Sequence, residues 1–505
     1  MRLKERMELD KKKIQFVIDC FFQKSRGDGI LYNYLHDGRL FYETDLDQWH
    51  YWNDFYWDTD SFNFRLAEVE ACCQLYEKAA DEILKYQKEE TGFEKFNHKL
   101  LLDRAAYLRT TKGRNACVNF AISNIRISEK DKIRIMKRMK DINKNPYIVP
   151  CRNAVIDLRT NEPVLPDPNE FMTNYIDVYY DSHATCENFE KNLMLVYDND
   201  TDLIKFIQKL FGLALCGKVS EHIFVIFSGN GRNGKGVMLE DIMLSMFGTF
   251  GIAISENLLV ESSYVQSANS PSPAMLSFLG KRYALASEST SKRNFHSELV
   301  KRLTGGDSIT ARAAYEKYNI SFKPTHTLFF MTNTIPYVDP LDNAFWKRVI
   351  IVPHDIQFVD KPTEELKSNE RKKVLNISDI LLREKSGIFN WMLEGYQLYK
   401  TEGLVYPDAV KEAIAVYRDD VDTTGIRQYI KEYYTFDEDS KVLFSDVYDR
   451  YRSWYEENVS HKDRNIPSKR TFGSRVRAFS KMLKVEKFCG DTYIYGLKLS
   501  RNSDY

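Results

Sequence analysis

The chain has 505 residues, enough for roughly three or four domains, and its 72 Lys and Arg residues balance 72 Asp and Glu residues. Because the net charge is zero, any contact with nucleic acid must come from a local basic patch. The eight cysteines include no Cys-x2-Cys pair, so we expect neither a zinc site nor a disulfide framework. The charged N-terminus lacks a secretory apolar core, and no apolar run reaches the length of about 18 residues that a membrane span needs. These features predict a protein of the reducing cytoplasm without a membrane partner.

The first 145 residues predict a mixed region followed by a helical one. Residues 32–42 and 48–57 are typical of strands, with a turn at Asn53-Asp54. From residue 63 to 143, apolar residues recur at helical spacing. The tryptophans of the mixed region fill the core of a small sheet or stack on nucleic-acid bases, and both readings stay open here: Trp49, Trp52 and Trp57.

Residues 146–216 connect this region to the centre of the chain. Pro146 and Pro150 mark the boundary, and the run that begins at Val155 predicts a strand and a turn. Two further helices are predicted between Asn188 and Cys216.

The centre of the chain combines a strand, a glycine-rich loop and a helix. Ile223–Phe227 predicts a buried strand, and the apolar stretch that follows the loop predicts a helix. Between them, the spacing Gly-x4-Gly-Lys fits the Walker A pattern, in which glycines let backbone N–H groups approach a phosphate closely. The helix N-terminus adds unpaired donors, and the lysine reaches the β- and γ-phosphates. We therefore predict that ATP binds at Gly229, Asn230, Gly231, Arg232, Asn233, Gly234, Lys235, Gly236 and Val237.

Gly236 departs from the Walker A pattern. The usual residue at this position is Ser or Thr, whose hydroxyl binds Mg²⁺, so one metal ligand is missing. The alternative is a glycine-rich turn that binds nothing, but the spacing, Lys235 and the flanking elements all favour a phosphate loop.

Two further apolar runs end in the polar residues Glu288 and Asn333. Ligands of open α/β sheets sit at the carboxyl ends of strands, so we expect both residues near the phosphate loop, provided that the strands are neighbours. Glu288 would hold Mg²⁺ or polarise the attacking water, and Asn333 would orient that water or sense the γ-phosphate. The alternatives are a surface carboxylate and a turn asparagine. Ser287 precedes Glu288, so the usual pair of carboxylates is absent.

Arg348 lies just before another apolar strand. It could act as a finger on the nucleotide of a neighbouring subunit, or it could form a surface ion pair.

The C-terminal part predicts a helical extension over residues 361–405 and then, over residues 406–505, three helices and a hairpin. Three helices followed by a hairpin are typical of a winged-helix domain. From His461 to Lys487, nine Lys and Arg residues stand against two acids. A helix after Ser468 would turn Phe472, Val476 and Phe479 toward the core. Its other face would present basic residues to DNA or simply to solvent: Lys469, Arg470, Arg475 and Arg477.

Five motifs follow one another along the chain. They are the phosphate loop, Gly280-Lys-Arg through Ser287-Glu288, Lys301-x-Leu-Thr-Gly-Gly-Asp-Ser-Ile-Thr-Ala-Arg312, Phe322-Lys-Pro through Thr332-Asn333-x-x-Pro336, and Lys347-Arg348. In this order and spacing, they resemble the helicase part of the phage/plasmid primase–helicase family. That family belongs to the superfamily 3 helicases and includes the poxvirus primase–helicase. Residues from about 25 to 215 also resemble the helical domain that precedes the ATPase in these proteins.

The resemblance implies an AAA+ type core over residues 217–360. It also implies that this core assembles in a ring of six copies that translocates 3′ to 5′ on single-stranded DNA with ATP and Mg²⁺. It places three basic residues in or beside a pore hairpin: Arg312, Lys317 and Lys323. The implied partners are single-stranded and forked DNA, further copies of the chain, and a separate primase or polymerase. No carboxylate triad for priming stands out, so we do not expect priming activity. For a viral or mobile-element chain, the compartment would be the host cytoplasm.

Three functions remain open at this point. The leading one is an ATP-driven replicative helicase. The second is an ATP-dependent initiator that remodels an origin without processive unwinding, and the third is a non-enzymatic DNA-binding ring. Strand displacement separates the first from the second, and ATP turnover separates both from the third.

Overall fold

A computed structural model describes residues 3–123, 136–138, 141–261, 273–287, 294–312, 319–339, 342–360, 366–420, 425–458, 466–479, 483–488 and 490–500. Within these ranges, the protein has a helical N-terminal region, an α/β core with a parallel sheet, and a C-terminal unit with its own small core. None of the described helices is both long and apolar enough to cross a membrane.

The N-terminal region packs helices against a four-stranded sheet in the order β3-β2-β1-β4. The strands are β1 (Leu40–Glu43), β2 (Gln48–Trp52), β3 (Trp57–Thr59) and β4 (Met136–Lys137). The helices are Leu3–Arg6, Lys11–Phe22, Ser25–His36, Phe64–Ala67, Val69–Lys88, Lys99–Leu108 and Thr111–Ser123.

Two expectations for this region are wrong. Residues 32–36, predicted as strand, belong to the helix Ser25–His36, because Leu31, Tyr32 and Leu35 lie on one helical face and are buried together. The short strand β4 lies inside the stretch predicted as helical. Trp49 and Trp57 are 5% and 1% exposed, so these two tryptophans belong to the core, whereas Trp52 is half-buried.

The connecting region contains a three-stranded antiparallel sheet and two helices. The strands are β5 (Ile148–Pro150), β6 (Val155–Asp157) and β7 (Glu162–Val164), followed by a 3-10 turn at Pro168–Glu170 and by the helices Glu187–Val196 and Thr201–Ala214. Asp200 caps the second helix by accepting a hydrogen bond from Leu203 N. This helix packs against the helix Lys385–Glu402, and Gly212 and Gly395 lie at the contact. A Cβ on Gly212 would lie 2.2 Å from Tyr396 N, so the two backbones approach closely.

The core sheet has five parallel strands in the order β14-β8-β13-β10-β9. The strands of this part of the chain are β8 (Phe224–Ser228), β9 (Gly251–Ser255), β10 (Tyr283–Ser287), β11 (Ile309–Ala311), β12 (Ile320–Phe322), β13 (Thr327–Thr332) and β14 (Val349–Pro353). The predicted parallel α/β core is therefore confirmed. Strands β8, β13 and β10 are neighbours, which is the condition set above for a shared site.

Helices cover both faces of the sheet, which explains why its strands are continuous apolar runs. Val225 and Phe227 face the helix Thr201–Ala214 and the helix after the phosphate loop. Phe224 and Ile226 face the opposite side. The shorter helices of the core are Val237–Leu244, Ser245–Phe247, Gly248–Phe250, Glu256–Leu258, Pro273–Leu276, Ser297–Thr304, Asn343–Trp346 and Ile377–Leu382.

The helix Asp408–Asp420 packs against β14, and Tyr417 is buried in the core cluster of that face. The sequence predicts this helix as part of the C-terminal domain over residues 406–505. The C-terminal unit with its separate core begins after it and consists of the helices Ile426–Tyr433, Phe444–Asn458 and Lys469–Phe479 and the strands β17 (Tyr434–Leu443), β18 (Lys484–Phe488) and β19 (Asp491–Leu499).

The predicted hairpin at Gly490 is present, with Phe488 opposite Asp491. Strand β17, which the sequence did not predict, completes a sheet in the order β17-β19-β18. The assignment of this unit as a winged helix stays a prediction. Before it, β15 (Gln357–Val359) and β16 (Glu370–Lys372) form a parallel two-stranded ribbon beside the core.

Candidate nucleotide-binding site

The phosphate loop leaves the sheet at the carboxyl end of β8, between two neighbouring strands. Ser228, the last residue of β8, lies opposite Thr332 of β13 and Pro353 of β14. The residues that follow all three strands therefore meet at one edge of the sheet. A helical conformation begins at Lys235, and residues 237–244 form a π-helix.

Two residues of the loop have backbone positions that are restricted, Gly229 by close contact and Arg232 by its left-handed conformation. A Cβ on Gly229 would lie 2.1 Å from the His354 carbonyl oxygen, so only glycine fits there. Arg232 has a φ of 63°, a left-handed conformation that costs a non-glycine residue about 1–3 kcal/mol and that is common at ligand sites. The loop is thus shaped in advance, as a phosphate cradle requires.

Lys235 and Asn333 come together as predicted from their positions. Lys235 Nζ donates to Gly229 O at 2.5 Å, to Asn233 Oδ1 at 3.2 Å and to Asn333 Oδ1 at 3.3 Å. The lysine is only 4% exposed, so its charge stays beneath the loop. A phosphate in the cradle would meet this ammonium group together with the Asn333 amide, which fits a nucleotide.

Residues after β14 also support the loop, and sequence reasoning missed them. His354 N donates to Ser228 O at 2.8 Å, and the buried Asn233 Nδ2 donates to His354 O at 3.3 Å. The Tyr197 hydroxyl lies 3.0 Å from His354 Nε2. A signal was available, because His354 follows a buried parallel strand and such ends meet at the ligand edge.

His354 is neutral at ordinary pH. Burial, followed by the nearby charge of Lys235, lowers the pKa of His354 to about 3. A neutral imidazole beneath the loop adds no repulsion to Lys235.

Residues 354–360 run alongside the phosphate loop, and we call them the strap. Phe358 N donates to Arg232 O at 2.7 Å, which holds the left-handed residue in place. The Arg232 guanidinium lies 3.6 Å from Asp360, whose other partner is Lys373 at 2.9 Å. Both ion pairs are largely exposed, so each contributes little by itself.

A cleft of about 780 Å³ opens beside the first residues of the loop. The site side of the cleft includes Ser228, Gly229, Asn333 and Asp355, and the helix Asp408–Asp420 forms the other wall. This cleft lies on the side of Asn333, where a γ-phosphate and an attacking water would need space.

The residues present fit the triphosphate, whereas two of the usual ligands of its magnesium ion are replaced. Gly236 offers no hydroxyl, and Ser287 stands where a carboxylate is usual. In the described ranges, no group of three or more His, Cys, Asp or Glu side chains is arranged to hold a metal. Glu288 lies outside the described residues, directly after Ser287, which pairs with Met331 of the neighbouring strand.

Arg348 is not part of this arrangement. It directly precedes β14, at the opposite end of the strands, where its carbonyl accepts from Phe224 N. Its guanidinium Nη1 donates to Ala344 O at 2.6 Å. The five residues of β14 separate it from the loop by about 16 Å.

The predicted DNA-binding residues lie in two other places. Arg312 directly follows β11 and Lys323 directly follows β12, and these two strands pair in an antiparallel arrangement. Lys317, between them in the chain, lies outside the described residues. On the helix Lys469–Phe479, Phe472 and Val476 are fully buried, and Lys469, Arg470 and Arg477 are exposed. The Phe479 side chain is outside the described set, and Arg475 is half-buried.

Comparison with known proteins matches residues 29–195 to the family described as D5 N terminal like. The chain is 26% identical over 347 residues to "Putative helicase L207/L206" of Acanthamoeba polyphaga mimivirus, covering 66% of this chain and 35% of that protein. These matches confirm the predicted resemblance to helicases. "Putative helicase 121R" of Invertebrate iridescent virus 3 is 24% identical over 391 residues, covering 72% of this chain and 41% of that protein.

The chain therefore spans between about a third and two fifths of the length of these curated relatives. Among solved structures, the apo structure of the NrS-1 C-terminal region (305–718) aligns with a TM-score of 0.38 at 13% identity, covering 64% of this chain and 77% of that one.

Proposed function

We propose that this protein is an ATP-dependent replicative DNA helicase of the superfamily 3 type, with an AAA+ core that works in a ring of six copies. The observation that carries the proposal is the phosphate loop at the carboxyl edge of the parallel sheet, where Lys235 Nζ lies 3.3 Å from Asn333 Oδ1. The similarity to proteins named as viral helicases supports the same assignment.

In the proposed reaction, Lys235 binds the β- and γ-phosphates and Asn333 positions the attacking water or reads the γ-phosphate. Magnesium, when bound, would supply neutralisation of the charge on the phosphates. Glu288 would hold this ion or polarise the water, because it follows β10, one strand beyond β13. Arg348 serves the site of a neighbouring copy.

DNA engagement is proposed at two surfaces. The hairpin of β11 and β12 carries Arg312 and Lys323 near its ends, and we propose that it tracks the phosphates of a single strand with Lys317. The exposed residues Arg470 and Arg477 of the C-terminal helix are proposed to bind duplex or forked DNA, as in a winged helix.

The test is a forked duplex with a labelled strand, incubated with the purified chain, ATP and magnesium. A helicase releases the strand in an ATP-dependent manner and hydrolyses ATP faster when single-stranded DNA is added. ATP turnover without strand release would favour an origin-remodelling initiator, and DNA binding without turnover would favour a non-enzymatic ring. Each of these two results would refute the helicase assignment.

A further inference from the structure

The missing hydroxyl of the phosphate loop is not explained by space or backbone geometry. Gly236 has φ −59° and ψ −45°, an ordinary helical conformation that serine adopts readily. For a Cβ at this position, the nearest neighbouring side-chain atom would be Glu240 Oε2, at 3.9 Å. A serine would therefore fit at this position. The space beside the missing side chain lies close to the Glu240 carboxylate.

The helix after the loop directs this carboxylate. Residues 237–244 form a π-helix that begins directly after Gly236. Side chains on a helix lean toward its N-terminus. Glu240 leans in this direction, because its carboxylate lies back beside Gly236.

The neighbouring acid on the same helix has a different task. Ser378 Oγ donates to Asp241 Oδ2 at 2.5 Å, which ties Asp241 to the helix Ile377–Leu382. Glu240 is exposed, and its Oε2 lies 3.9 Å from the place of a Cβ on Gly236. Glu240 and Asp241 therefore carry the same charge on the same helix but contact different residues, which makes Asp241 a suitable control for Glu240.

A carboxylate is a chemically sound replacement for the hydroxyl. Magnesium takes oxygen ligands, and in nucleotide sites it is usually held by one or two carboxylates together with phosphate oxygens and waters. We propose that Glu240 takes the place of the Walker A hydroxyl and holds the magnesium ion of the bound nucleotide. This inference rests on the proposed nucleotide site and adds a metal-binding residue to it.

The test measures nucleotide affinity rather than turnover. The full chain is titrated with a fluorescent, slowly hydrolysed ATP analogue in magnesium and again in EDTA. The ratio of the two dissociation constants gives the contribution of the metal. In Glu240→Gln, this contribution should fall by about tenfold or more, while the affinity in EDTA is retained or slightly improved because a negative charge has left the phosphate site. Glutamine keeps the size of an exposed side chain, so the fold should not change.

Two further variants decide the interpretation. Asp241→Asn removes the same charge from the next residue and should keep the wild-type magnesium dependence. Gly236→Ser in the Glu240→Gln background should restore much of that dependence, because it returns the usual hydroxyl. With manganese in place of magnesium, the electron paramagnetic resonance signal of the bound ion should change in Glu240→Gln and not in Asp241→Asn.

The inference is overturned if Glu240→Gln binds the analogue with the magnesium dependence of the wild type, or if Asp241→Asn loses as much. Both results presuppose that the wild type binds the nucleotide. A wild-type chain that binds no analogue in either buffer would refute the nucleotide function itself, which is a distinct outcome.

Discussion

Arg348 offers the sharpest test of a ring, because it cannot serve the phosphate loop of its own chain. The five residues of β14 extend about 16 Å between Arg348 and the level of Ser228. An arginine side chain reaches less than half of that distance, and the Arg348 Nη1 already donates to Ala344 O, on its own side of the sheet. If this arginine takes part in hydrolysis, it must act on a neighbouring copy.

The magnitude of the effect follows from mixing two defective subunits. Arg348→Ala should bind ATP with wild-type affinity and hydrolyse it far more slowly, while Lys235→Ala should not bind it. In randomly mixed rings of equal parts, about one interface in four combines an intact loop with an intact arginine, since a head-to-tail interface takes one residue from each subunit. We therefore expect about a quarter of the wild-type ATPase rate if interfaces act independently.

The assay is steady-state ATP turnover, with native mass spectrometry to verify that the rings are mixed. Rings of each single variant are the controls and should be almost inactive. Verified mixed rings without any recovered activity would refute a role in trans, and full activity of Arg348→Ala alone would remove this residue from the reaction.

Three further predictions concern ATP hydrolysis, the salt dependence of DNA binding and the pH dependence of stability. Glu288→Gln should bind ATP and lose hydrolysis by at least about a hundredfold; wild-type turnover would show that this carboxylate was assigned wrongly. Replacing Arg470 and Arg477 by alanine should lower the salt slope of forked-DNA binding by about two, because each lost phosphate contact removes about one unit; an equal slope in both proteins would leave the helix as a solvated surface. Burial lowers the pKa of His326 to about 3, below its unfolded value of about 6.5. Between these two pH values, the unfolded chain is protonated at this histidine and the folded chain is not. The stability that neutral His326 contributes is therefore present above about pH 6.5 and is lost as the pH falls toward 3. Denaturant unfolding at about pH 7.5 and pH 5 should show that His326→Leu loses about 2 kcal/mol less than the wild type, and an equal loss would contradict the shift.

The sequence was most informative where a motif of the phosphate loop and the secondary structure beside it are both encoded by neighbouring residues. The spacing of the phosphate loop and the apolar run before it predicted both β8 and the start of the following helix. Asn333 was found for the same reason, because it ends a buried strand and parallel strands end at one edge. Such positions are encoded by neighbours along the chain.

The parts that were missed depend on contacts between distant segments. His354 touches the loop only because β14 pairs with β8. Tyr197, which contacts His354, directly follows a helix more than 150 residues earlier. The strand β17 and the short β4 gain their partners from residues far along the chain. Helix Asp408–Asp420 shows the same limit, because its buried Tyr417 selects the core sheet over the C-terminal unit. Periodicity predicts an element and does not select its partner.

The arrangement of β13 suggests how a nucleotide site and a DNA hairpin could work together. Asn333 follows this strand at the nucleotide edge, and Lys323 precedes it at the end of the hairpin. The strand between them is hydrogen-bonded on both sides, to β8 and to β10, so it is not free to deform by itself. If a change in what Asn333 contacts, from Lys235 to a phosphate or a water, moves this strand, the attached hairpin strand moves with it. Coupling through one strand needs no long chain of side chains, because the predicted nucleotide sensor Asn333 and the predicted DNA contact Lys323 lie at opposite ends of the same short segment.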